Sequence, residues 1–163
     1  MPATGDLEEL VRLHYEGLLR LAYMLCGDPA EAEDVVGDVL ARAWPRLSRG
    51  KVDDPGAYLR RAVVNQVATW RRHRFVVRRE QLRRRPEPPA ADVEDRTAER
   101  DRLWTALRAL PVAQRQVVVL RYLEDLSEAE TAATLGVASG TVKSRTARAL
   151  EALRRALDED VDV

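Results

Sequence analysis

The chain has 163 residues, of which 45% are hydrophobic, 33% are charged and 5% are aromatic, and its formal net charge is zero. That length allows one domain or two small ones, and a core built mostly of Leu, Val and Ala favours an all-α protein. The single cysteine, Cys26, excludes an intrachain disulfide, and His14 and His73 lack close Cys or His neighbours, so no metal or cofactor is expected.

The zero net charge conceals segregation. Residues Arg71 to Arg85 hold eight Arg and one Glu, whereas Pro86 to Asp101 hold six acids and two Arg. Two surfaces of opposite sign are therefore expected, one of them suited to a polyanion. The opening Met1-Pro-Ala-Thr-Gly-Asp does not read as a signal peptide, and no apolar run is long enough for a membrane span. A cytoplasmic protein is the expectation.

The first predicted helix runs from about Asp6 to Cys26, with Leu7, Leu10, Val11, Leu18, Leu21, Ala22 and Leu25 at helical spacing and Gly27 as its stop. Asp28-Pro29 reads as an N-cap followed by proline at the first helical position. The second helix turns Ala32, Val35, Val36, Val39, Leu40, Ala43 and Leu47 inward and leaves Glu31, Asp34, Asp38 and Arg42 on its other side. Gly37 inside it costs about 1 kcal/mol relative to Ala, unless it permits a close backbone approach. Asp54-Pro55 repeats the start signal and leads a helix with Tyr58, Leu59, Ala62, Val63, Gln66, Val67 and Trp70 on one stripe. Residues 76–98, with Pro86, Pro88 and Pro89, read as a linker. Fully stretched, it spans at most roughly 75 Å, so the flanking parts need not touch.

A second helical block follows. Leu103, Trp104, Leu107 and Leu110 form one stripe before Pro111, and Val117, Val118, Leu120 and Tyr122 belong to the next helix. Ser127 with Glu130 matches a capping box, Gly136 stands where a left-handed residue ends the short helix, and Ser139 is the expected N-cap of another. Two short helices about a Gly-containing turn make a helix-turn-helix candidate. In the second of them Val142, Ala149, Leu150, Leu153 and Leu157 form the expected buried stripe. Thr141, Ser144, Arg145, Arg148 and Arg155 form the opposite one, with Lys143 at its border. A helix with Thr, Lys, Ser and Arg near its start suits a major groove, where arginine takes guanine bidentately and hydroxyls hold phosphate. A solvated charged face is the bland alternative; the capped short helix and Gly turn weigh against it.

Arg60, Arg61, Asn65, Thr69, Arg71, Arg72 and Arg74 lie on or just beyond the third helix. Such a surface attracts phosphate, and Asn can bond exposed base edges. Phe75 could stack on an unpaired base, whereas Trp70 continues the apolar stripe. The acidic side of the second helix (Glu31, Glu33, Asp34, Asp38) fits either a basic protein partner or plain solvation; with no histidine it does not suit a metal.

Three segments then resemble a bacterial sigma factor of the extracytoplasmic-function (ECF) group, closest to its actinobacterial SigE-like set. They are Ala32–Trp44 (AEDVVGDVLARAW), Asp54–Asn65 (DPGAYLRRAVVN), and Leu110–Tyr122 (LPVAQRQVVVLRY) together with Gly140–Arg145 (GTVKSR). The resemblance implies a non-enzymatic transcription initiation subunit that binds core RNA polymerase and promoter DNA, with an anti-sigma factor as a further partner and no membrane. It divides the chain into sigma region 2 (1–75), a linker (76–98), a region 4 helix-turn-helix (99–157) and an acidic tail (158–163). It assigns Asp34, Asp38, Arg42 and Trp44 to polymerase binding, at a face where the family often has glutamine in place of Gly37. It assigns Arg61, Asn65, Arg71, Arg72 and Arg74 to the −10 element, and Thr141, Lys143, Ser144, Arg145 and Arg148 to the −35 element. Glu87, Asp92, Glu94 and Asp95 would thread toward the polymerase cleft. The competing reading is an autonomous helix-turn-helix regulator, binding operators as a dimer. A metal nuclease finds no ligand cluster in the sequence.

Overall fold

The computed structural model describes residues 4–77 and 97–158, with side chains from 7–70 and 97–158. Every regular element among them is helical, as the composition implied. They divide into two compact units, Met1–Pro88 and Pro89–Val163.

The first unit holds α1 (Thr4–Cys26), α2 (Pro29–Leu47) and α3 (Pro55–Val77), each in contact with the other two. The punctuation acts as the sequence implied. Gly27 takes φ 78°, a left-handed value that a Cβ would resist, and its N–H donates to Tyr23 O at 2.7 Å. Asp28 then caps α2 by accepting from Glu31 N–H at 2.9 Å, with Pro29 in the first turn. Asp54 caps α3 in the same way, accepting from Ala57 N–H at 2.9 Å.

The core of this unit is aliphatic. Leu18, Leu21, Ala22 and Leu25 of α1 meet Ala32, Val35, Val36, Val39, Ala43 and Leu47 of α2 and Leu59, Val63, Val64 and Val67 of α3. On α3 the inward stripe is centred differently from the expected one. Val64 is buried although it was not on the stripe, and Tyr58, Gln66 and Trp70 are half-buried. Burial here depends on both α1 and α2 flanking the helix, which widens the covered arc beyond one row. Gly37 does not serve a close approach: a Cβ there would meet nothing within 4 Å. Gly56 does, because a Cβ there would come within 3.0 Å of the His14 ring.

The second unit holds α4 (Ala98–Ala109), α5 (Val112–Val118), α6 (Glu128–Leu135) and α7 (Ser139–Asp158). Thr97 caps α4, accepting from Arg100 N–H at 3.3 Å. Past Val118 the helix widens over Val119–Leu123, where Glu124 N–H reaches back five residues to Val119 O at 3.0 Å. The chain then reverses through Asp125 at φ 54°. Helix α7 contacts α4, α5 and α6. One apolar cluster joins Ala106, Leu107, Leu110, Val118, Ala149 and Leu153; a second joins Val117, Ala132 and Val142.

Two expected core positions are not core. Leu103 is 44% exposed and Leu150 38% exposed. Both follow the correct period, but a stripe is buried only where a neighbour covers it. Leu103 falls one turn ahead of the cluster on α4, and Leu150 lies beside Ala149 and Leu153 at the edge of the covered arc of α7. The start of α7 also differs by one residue: Val142 N–H donates to Ala138 O at 3.2 Å, so Ala138 rather than Ser139 occupies the cap.

Arginines close helix ends inside this unit. Arg115, 6% exposed, donates through Nη2 to Arg108 O at 3.0 Å and Leu110 O at 3.2 Å, satisfying carbonyls at the end of α4. Arg102 donates to Leu157 O at 3.1 Å near the end of α7, and Arg121 donates to Leu126 O at 2.9 Å across the reversal. Thr131, by contrast, is fully buried, and its hydroxyl has no hydrogen-bond partner among the described residues.

Two stability outcomes are expected from chemical denaturation. Arg115→Met keeps apolar volume but strands the carbonyls at the end of α4, and should lower stability by about 2 kcal/mol. Thr131→Val keeps the shape and removes a buried hydroxyl that gains nothing, and should raise stability by about 1 kcal/mol.

Candidate nucleic-acid interface

Helices α6 and α7 are joined by Gly136, Val137 and Ala138. The Ser127 hydroxyl accepts from Glu130 N–H at 3.1 Å while the Glu130 carboxylate accepts from Ser127 N–H at 2.7 Å, so the capping box is complete. Gly136 takes φ 66°, and Val137 N–H donates to Ala132 O at 3.1 Å, closing α6 sharply enough for α7 to start at once. This is a helix-turn-helix, held by Val117, Ala132 and Val142 between the two helices and α5.

Burying Val142, Ala149 and Leu153 turns the other side of α7 outward. Lys143, Ser144 and Arg148 are exposed, and Thr141 and Arg145 are half-buried at the edge of that face. The Ser144 hydroxyl donates to Thr141 O at 3.1 Å, which leaves its oxygen lone pairs outward. Arg145 and Arg148 make no ion pair with a described residue. Arg155, expected on the same face, differs: its Nε lies 3.0 Å from the Glu151 carboxylate, and Arg154 lies 3.4 Å from it. The i, i+3 and i, i+4 spacings of Glu151 to these arginines were legible in the sequence.

On the first unit, Arg61, Asn65 and Thr69 are exposed at i, i+4 and i+8 along α3. They form one polar row; the Thr69 hydroxyl donates to Asn65 O at 3.1 Å. Arg71, Arg72 and Arg74 continue α3, and their side chains lie outside the described residues, as do the expected acidic linker positions Glu87, Asp92, Glu94 and Asp95.

On α2, Asp34, Asp38 and Arg42 are exposed in a second row of the same spacing. Trp44 is 39% exposed, but it stands roughly 120° round the axis from Asp38 at about 100° per residue. Between them runs a low surface of Gly37, Ala41 and Pro45, all exposed. Arg42, though exposed, also reaches along the surface to α3: its Nη1 donates to Gln66 Oε1 at 3.1 Å. That link joins the acidic helix to the helix carrying Asn65. The periodicity of α3 placed Gln66 inward and gave no sign of it.

Among the described residues no group of three or more His, Cys, Asp or Glu could hold a metal ion, and no helix is long and apolar enough to cross a membrane.

The fold and its surfaces thus define an all-helical protein of two small units, one with a polar, partly basic helix face and the other with a helix-turn-helix. Residues 10–75 match the family model for sigma-70 region 2, and residues 100–153 match sigma-70, region 4. The chain is 42% identical over 157 residues to the RNA polymerase sigma-E factor of Streptomyces coelicolor, covering 93% of this chain and 86% of that protein. It is 35% identical over 167 residues to the ECF RNA polymerase sigma factor SigE of Mycolicibacterium smegmatis, covering 93% of this chain and 64% of that protein. Among solved structures it is similar to the sigma factor RpoE of Bartonella quintana in complex with the anti-sigma factor NepR. There the TM-score is 0.79 and the identity 25%, over 94% of this chain and 97% of that one. It is also similar to CnrH in complex with the cytosolic domain of CnrY, with TM-score 0.69 and identity 26%, over 97% of this chain and 91% of that one. The chain belongs to the sigma-70 family of RNA polymerase sigma factors.

The Arg42–Gln66 link has a direct check. In a double-mutant cycle of Arg42→Ala and Gln66→Ala followed by urea denaturation, the coupling should fall between about 0.3 and 1 kcal/mol, as for an exposed hydrogen bond with one charged partner. Strict additivity would show that the two side chains do not interact.

Proposed function

We propose that this chain is an ECF sigma factor that binds core RNA polymerase and directs it to particular promoters for transcription initiation, the polymerase supplying the catalysis in the cytoplasm. The carrying observation is joint. The region 2 match falls on the unit with the exposed Arg61–Asn65–Thr69 row, and the region 4 match falls on the unit whose α7 presents Ser144 and Arg148 outward.

The division of the chain follows the same reading: region 2 over 1–75, a linker over 76–98 whose residues 76–77 close α3 and whose residue 98 opens α4, region 4 over 99–157, and a short acidic tail. Asp34 and Asp38, with Trp44 across the low Gly37–Ala41–Pro45 surface, dock on a basic part of the polymerase. Two carboxylates one turn apart suit cationic side chains, and an unfilled strip between them and an aromatic admits a partner backbone or side chain closely. Arg61 and Asn65 meet the −10 element, and Arg71, Arg72 and Arg74 extend that contact along the strand backbone. Asn can bond a base edge once the duplex opens, and the arginines hold phosphate. Thr141, Lys143, Ser144, Arg145 and Arg148 meet the −35 element in the major groove.

Neither unit offers more than a few such contacts, so each binds DNA weakly alone. The polymerase fixes their separation and turns two weak contacts into one joint recognition event. The similarity to the sigma factor RpoE solved with the anti-sigma factor NepR supports a regulatory partner of the anti-sigma kind for this chain as well.

Run-off transcription with purified core polymerase is the test. Promoter-specific transcripts should appear only when the chain is added, and a protein that footprints DNA tightly alone and never joins polymerase would instead be an autonomous regulator. In the same assay Arg145→Ala with Arg148→Ala should lower transcript yield at least about tenfold, as loss of base contacts worth about 1–3 kcal/mol each implies. Polymerase binding should stay intact; equal loss of both activities would overturn the assignment of α7.

A further inference from the structure

Glu151 stands on the outward side of α7, one turn beyond Arg148, and its carboxylate holds two arginines at once. Arg155 Nε lies 3.0 Å from Oε1 and Arg154 Nη1 lies 3.4 Å from Oε2, with 72% and 70% of those side chains exposed. All three groups are exposed, on the side of α7 opposite the buried Val142, Ala149 and Leu153.

Their position along the axis gives them meaning. The major groove of B-DNA is about 12 Å wide, and a helix rises about 1.5 Å per residue, so a helix crossing the groove keeps about eight residues within it. Counted from Thr141, that stretch ends at Arg148. Glu151, Arg154 and Arg155 then lie roughly 5 to 10 Å beyond it, past the rim, where the DNA groups a long side chain can reach are phosphates rather than base edges. Two free arginines at the rim would add affinity for any sequence. The carboxylate reduces their combined charge from +2 to +1 and engages one N–H of each, in the favourable order with the acid N-terminal to the base.

We propose that Glu151 is an electrostatic stop: it ends the DNA footprint of α7 at Arg148 and withholds Arg154 and Arg155 from the phosphates. The proposal rests on α7 being the helix that meets promoter DNA. Its consequence is that region 4 gains little from sequence-independent contact, which keeps the affinity of this unit low and leaves recognition dependent on the polymerase.

The experiment uses polymerase holoenzyme assembled with the full chain. The probes are a duplex carrying a promoter that gives a run-off transcript and the same duplex with its −35 element scrambled. Binding is followed by fluorescence anisotropy across a series of KCl concentrations. Glu151→Gln should raise affinity about 3- to 10-fold on both duplexes, steepen the dependence of log K on log salt by roughly 1 to 2, and leave the ratio between the duplexes unchanged. Adding Arg154→Ala and Arg155→Ala should abolish the gain. Glu151→Ala, a stronger helix former, should repeat the result and exclude a folding effect. An unchanged salt slope, a gain confined to one duplex, or a gain that survives loss of both arginines would overturn the proposal. Failure of the underlying reading looks different: wild-type holoenzyme would then not distinguish the two duplexes at all.

Discussion

Val142 and Ala149, both fully buried, pin α7 against its neighbours, and what the second unit can offer a nucleic acid follows from that contact. Once these residues and Leu153 are inside, the orientation of α7 about its axis is fixed, and Ser144 and Arg148 have nowhere to go but out. A rotation of even one residue would bury a polar group or expose a valine. The helix-turn-helix is therefore rigid where it must be, at the start of α7, where Gly136 and the two bonded ends of α6 leave the connection little freedom. The same logic holds α3 in the first unit, where Leu59, Val63, Val64 and Val67 point inward and Arg61, Asn65 and Thr69 are left as an outward row.

Among the described residues the arginines play three parts that composition alone cannot separate. Arg102, Arg115 and Arg121 spend their donors on backbone carbonyls and act as struts at helix ends and turns. Arg42 ties α2 to α3, and Arg154 and Arg155 answer to Glu151. Arg61 and Arg148, both exposed, and Arg145, half-buried at the edge of its face, make no ion pair with a described residue, which is the state needed to exchange counterions for phosphate. A neutral protein with a mid-range isoelectric point can in this way meet a polyanion, because what matters is the local field at the contact rather than the total.

Much of this was legible from the residues in order. The caps at Asp28, Asp54 and Ser127, the stops at Gly27 and Gly136, and the stripes of α1, α2 and α7 depend on neighbours three or four positions away, so local chemistry decides them. What the local pattern did not show depended on distant residues. Leu103 and Leu150 have the right period but no full cover; Val64 is buried because two helices flank α3 rather than one; and Arg42 meets a glutamine 24 positions further on.

By itself, then, the sequence determined that the protein is helical, where most of its helices begin and end to within a few residues, and that one of them follows a tight turn with hydroxyls and arginines on its outer side. These are consequences of backbone dihedrals, capping and a 3.6-residue period, all short-range. Tertiary structure decided which apolar residues become core, which arginines are struts, and which charged groups stay available to a partner. Burial and pairing are properties of what lies opposite a side chain, and that is set only when the helices come together.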